Sequence, residues 1–87
     1  MAQSHVFDTY ARTREGRIMH FDVILDDKDA GKALRSAREW LASIGEDDAS
    51  VSQENCCFCH STEAPEDMRK EIDARGYAIY KLEGCPA

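Results

Sequence analysis

Polar and apolar positions alternate most cleanly over Ile18 to Leu25, where Met19, Phe21, Val23 and Leu25 fall on one side of an extended chain. The other side carries Ile18, His20, Asp22 and Ile24 and is only half apolar, so it is expected to be the wetter face. His5 to Ala11 is rich in β-branched and aromatic residues and predicts a first strand. The polar stretch Arg12 to Arg17, with Gly16 free to take a positive φ, predicts an antiparallel hairpin between the two. The period then changes. Ala30, Ala33, Leu34, Ala37, Leu41 and Ile44 recur at helical spacing, with Asp26 and Asp27 as candidate N-caps and Gly45 as the stop. Trp40 flanks that stripe and widens the face to be buried.

The second half is less regular. Ala49 to Asn55 predicts a short third strand around Val51, followed by a loop holding the cysteines. Pro65, Glu66 and Asp67 mark a helix start, Met68 and Ile72 share one face, and Gly76 suits the position just past the end. Tyr77 to Leu82 predicts a fourth strand. The order is β-β-α-β-α-β, and helical stripes of this kind need a sheet to cover. The expected fold is therefore a single α+β domain over residues 1–87, a two-layer sandwich with a four-stranded mixed sheet and both helices on one face. Right-handed crossovers would make strands two, three and four parallel. The ends of strands three and four would then meet at one edge.

Composition narrows the function classes. Seventeen acidic against 11 basic residues give a formal charge of -6, with no Lys/Arg cluster to follow a phosphate backbone, so nucleic acid is not an expected partner. The longest apolar run, Val23 to Leu25, is far too short for a membrane span. The start of the chain lacks the charged and apolar regions of a secretory signal, so the expected location is the cytoplasm and the four cysteines are expected as thiols or metal ligands.

Several segments carry a resemblance when taken together: His5-Val6-Phe7-Asp8-Thr9-Tyr10, Met19-His20-Phe21-Asp22-Val23, Trp40 to Gly45, Cys56 to Ser61, and Gly76-Tyr77 with Tyr80 to Cys85. Over nearly its whole length the chain resembles the small bacterial proteins of the twenty-twenty-four domain-of-unknown-function group. The resemblance implies a single α+β domain of bacterial origin, with no established activity to carry over. Cys56, Cys59, His60 and Cys85 match that group's cysteine and histidine pattern.

Cys56-x-x-Cys59 has the spacing by which one loop presents two thiolates to a tetrahedral zinc ion. His60 and Cys85 are the first candidates for the remaining ligands, with His5 or His20 behind them. Zinc is accordingly the candidate cofactor of a binding module, although adjacent Cys59 and His60 are expected to diverge. The alternative is a thiol-disulfide redox protein using Cys56 and Cys59, yet the expected helix start near Pro65 lies too far on to activate a thiolate. Cys56 to His60 also reads as the C-x-x-C-H attachment signature of a c-type haem, which the missing export signal disfavours. A second candidate site is the wetter sheet face, where Asp8, Tyr10, His20 and Asp22 could converge and a His-carboxylate pair could serve as a general base. The competing reading is ordinary cross-strand pairing. A sheet face left bare by its helices also predicts a homodimer.

Overall fold

The computed structural model describes residues 3–46 and 48–84. Its elements run β1 (Ser4–Arg12), β2 (Ile18–Leu25), α1 (Ala30–Ser43), β3 (Cys56–Thr62), α2 (Glu66–Arg75) and β4 (Ala78–Glu83), with a short 3-10 turn at Gln53–Asn55 ahead of β3. The strands form one sheet in the order β3-β1-β2-β4, and every neighbouring pair is antiparallel. The fold is α+β as expected, but the mixed sheet is corrected to an antiparallel one. The expected crossover after β2 exists, yet it steps over β1 and lands β3 on the far edge. The chain then crosses the sheet through α2 to place β4 on the opposite edge. The ends of β3 and β4 therefore do not meet at one edge.

The third strand also lies elsewhere. Residues 49–55 hold only an isolated bridge from Arg12 to Ser50 and the 3-10 turn, while Val51 is buried outside any strand. The strand is the cysteine segment itself. Its residues from Cys57 to His60 are exposed, so a regular edge strand carries no apolar alternation from which to read it.

The two helices lie on opposite faces, which corrects the expectation that both share one. Odd-numbered Phe7, Ala11, Met19, Phe21, Val23 and Leu25 pack with Ala33, Ala37, Trp40 and Leu41 of α1. Even-numbered Val6 and Ile24 pack with Ala78 and with Ile72 and Met68 of α2. Neighbouring side chains in a strand point to opposite faces, so these are two cores separated by the sheet. The first is the larger and contains Met19, Phe21, Val23 and Leu25 with no exposed surface at all.

Local chemistry ends the helices. Asp29, rather than Asp26 or Asp27, caps α1, its carboxylate accepting from the Lys32 backbone N–H at 3.1 Å. Asp26 instead accepts from both guanidinium nitrogens of Arg69, at 2.9 and 2.5 Å, and from the Ser4 hydroxyl, tying α2 to the end of the β2 strand. Gly76 ends α2 with φ +92°, a left-handed conformation that needs no Cβ, and its N–H donates to the Ile72 carbonyl. Among the described residues no helix is long and apolar enough to cross a membrane.

Candidate functional site

α2 lies across only one end of its sheet face. Beneath it run Val6, Ile24 and Ala78, with His60 as the cross-strand partner of Val6. The next row across the sheet is uncovered and consists of Cys57, Asp8, Asp22 and Tyr80, each paired with its neighbour. Beyond it stand Tyr10 and His20, again directly opposite one another. The wetter face expected from the sequence is thus the uncovered part of the α2 face.

Asp8, Tyr10, His20 and Asp22 do converge there. His20 Nε2 contacts Asp8 Oδ1 diagonally across the hairpin. The His20 ring stacks on Tyr10 at 4.2 Å with the planes 6° apart, which fixes the plane of the imidazole. Burial pushes the Asp22 carboxyl above its ordinary range, and the Asp8 charge and a hydrogen bond from the same side chain add to that. The His20 and His60 imidazoles pull the other way. One side-chain ligand atom from each of Asp8, His20 and Asp22 lies within 4.8 Å of the other two, and all three residues are half-buried.

The cysteine segment divides between the two faces. Cys56 points into the α1 core, where its sulfur accepts from the Thr9 hydroxyl at 3.4 Å and burial pushes its thiol up. It has none of the electrostatic activation a reactive thiol needs. Cys57 is directly across from Asp8 on the other face and is exposed. Between Val6 and Phe7 the register slips, so that Phe58 pairs with Phe7 and His60 with Val6, leaving Cys59 as the extra residue of a bulge. The bulge turns Cys59 and His60 to the same side, with Nδ1 and Sγ 3.2 Å apart. The divergence expected of adjacent residues is thereby corrected.

Of the four predicted zinc ligands, then, Cys59 and His60 come together and Cys56 leaves by the opposite face. Cys85 lies outside the described residues. The dithiol pairing of Cys56 with Cys59 is divided in the same way. His5 bonds with Ser61, its Nδ1 2.7 Å from the hydroxyl oxygen, and stands apart from this group. Sequence reasoning missed that His60 pairs with Val6 and shares the α2 face with Asp22, because a cysteine loop has no defined register and the bulged strand does.

Near Tyr10 the open face continues into a hollow of about 390 Å³, lined also by Arg12, Ile18, Ser50 and Asn55. Tyr10, Ile18, Tyr80 and Leu82 are exposed by 42–49% around the polar centre. Among the described residues these are four of the five large exposed hydrophobic side chains, Phe58 being the fifth.

A family model described as "Domain of unknown function (DUF2024)" matches residues 2–82. Among solved structures, the chain is similar to the NMR structure of protein NE1680 from Nitrosomonas europaea. The two share 50% sequence identity over 97% of this chain and 99% of that one, with a TM-score of 0.86. No curated protein matches.

Proposed function

Since the chain belongs to the DUF2024 family, which brings no activity with it, we propose from its geometry that it is a cytoplasmic binding module. Its working surface is the half of the sheet face that α2 leaves open, and the partner on that surface is a second copy of the chain. The observation that carries this reading is the gathering of Tyr10, Ile18, Tyr80 and Leu82 around the Asp8–His20–Asp22 centre. Apolar side chains scattered singly need no explanation, whereas a contiguous rim around a half-buried polar centre does. Self-association by strand addition is disfavoured, because register shifts interrupt both outer strands, β3 beside β1 and β4 beside β2. Free thiols at Cys56, Cys57 and Cys59 suit a reducing compartment.

The test is sedimentation of the wild type and of Leu82→Asp over a wide concentration range. A dimer that Leu82→Asp converts to a folded monomer is the expected result. A wild type that stays monomeric at high concentration contradicts the second copy as partner. A second reading keeps zinc at Cys59 and His60, and the 3.2 Å approach of Cys59 Sγ to His60 Nδ1 favours it. In that case Cys59→Ser releases metal and lowers thermal stability, while Cys57→Ser does neither.

A further inference from the structure

We propose that Asp8, His20 and Asp22 form a binding site for a divalent first-row transition-metal ion at the centre of the open face. The inference deepens the reading of that face as the working surface, and it concerns different residues from the cysteine site expected from the sequence.

One hairpin holds all three side chains. All stand on the central hairpin, the most completely hydrogen-bonded part of the sheet, with Asp8 and Asp22 as direct cross-strand partners and His20 two residues along. Such a pairing sets two carboxylates side by side, which is unfavourable when both are ionised. The His20 imidazole already meets this pair, its Nε2 on Asp8 Oδ1. A divalent ion placed between two carboxylates relieves their mutual repulsion. Bound there, it has two anionic ligands and an imidazole around a double positive charge.

Distances fit a shared ion. Ligand atoms about 2.0–2.2 Å from one ion stand at most about 4.4 Å apart. The three groups already lie within 4.8 Å, so small rotations of the two carboxylates close the set. His20 needs no search for its orientation, since Tyr10 stacks flat against it. A supporting contact of this kind is what metal-ligating histidines require.

The donor set identifies the class of ion. Magnesium and calcium prefer all-oxygen surroundings, whereas one imidazole with two carboxylates suits zinc, cobalt, manganese or ferrous iron. Three protein ligands on an open face leave coordination positions free, with Glu83 directly across from His20 and Cys57 directly across from Asp8 as further potential donors. The site is thus built to offer an ion to whatever docks on this face, the second copy of the chain included, rather than to enclose it within one chain.

Cobalt(II) is the probe, because its visible absorption reports coordination and a thiolate ligand adds an intense near-ultraviolet charge-transfer band. Titration of the full chain should show one equivalent bound with ligand-field bands and no thiolate band that depends on Cys59. Asp22→Asn and His20→Gln should each weaken binding more than the about 10–100-fold typical of losing a supporting residue. Cys59→Ser should leave it unchanged. Circular dichroism of each variant separates loss of a ligand from loss of fold. Absence of binding by the wild type overturns the proposal. So does a thiolate band abolished by Cys59→Ser, which assigns the ion to the cysteines. The two readings fail separately: a dimer sensitive to Leu82→Asp that binds no cobalt removes the metal alone, and a monomer that binds cobalt removes the second copy alone.

Discussion

The two faces of the sheet are built from the same four strands and do different work. On the α1 face, Phe7, Met19, Phe21, Val23 and Leu25 form an unbroken apolar floor, closed by Ala33, Ala37, Trp40 and Leu41, with Phe21 and Trp40 rings 4.7 Å apart. The Thr9 hydroxyl is satisfied inside it by the Phe7 carbonyl at 3.0 Å and the Cys56 sulfur at 3.4 Å. On the α2 face only Val6, Ile24 and Ala78 are covered, by Ile72 and Met68, and the rest of the face sets two carboxyls and an imidazole among exposed aromatic and aliphatic side chains. Alternation along a strand allows this division, because changing one face leaves the other untouched. One face supplies the stability that the other spends.

The strongest way to break that contrast is to truncate the same class of side chain on each face. Phe21→Ala removes a ring with no exposed surface and is expected to cost about 3–5 kcal/mol, enough to unfold a domain of this size in large part. Chemical denaturation measures it. Ile72→Ala, at the smaller core under α2, is expected to cost about 2 kcal/mol, the low end for such a truncation, because few side chains surround it. Tyr80→Ala on the open face, measured in the monomeric Leu82→Asp background so that no dimer contact is lost with it, should stay within about 0.5 kcal/mol. Equal losses at all three positions would erase the distinction between the faces.

Acidity sharpens it further, and the sign differs between two aspartates. Arg69 holds the Asp26 carboxyl below its ordinary value of 3.8, so that contact stabilises the fold above that pH and is lost as pH falls through the lower folded value. Hydrogen exchange should show α2 loosening in acid before α1 does. Asp22 is shifted the opposite way: the folded state holds its proton more tightly, and a penalty develops as pH rises past 3.8 and is complete above the raised folded value. Asp22→Asn is therefore expected to raise the melting temperature at neutral pH, and the gain should vanish in strong acid. A neutral-pH loss in that variant would mean that the carboxylate is structurally required rather than retained at a cost.

These contrasts also mark what a sequence makes legible. β2 and α1 could be placed because each packs an apolar stripe of clear period, β1 and β4 because of their β-branched and aromatic residues, and α2 because Pro65, Glu66, Asp67 and Gly76 mark its ends; Asp8, Tyr10, His20 and Asp22 could be set on one face because the hairpin fixes their register. β3 was illegible since its side chains beyond Cys56 are exposed and its bulge spoils alternation. The rule for right-handed crossovers permits a connection that skips a strand as readily as one that does not, so the sheet order did not follow from it. The position of α2 did leave a trace. Val6 and Ile24 are apolar on the otherwise polar side of the hairpin, which is where a second helix had to cover them.

The central claim is that the metal chemistry of this protein resides on the open face, at Asp8, His20 and Asp22. Its most direct test is to follow backbone amide and imidazole nitrogen resonances by NMR while zinc is added. The account predicts that the largest changes fall on His20 and on the amides of residues 8–10 and 20–22, with the α1 core undisturbed. Changes centred on residues 56–60 that leave the His20 ring unaltered would contradict it.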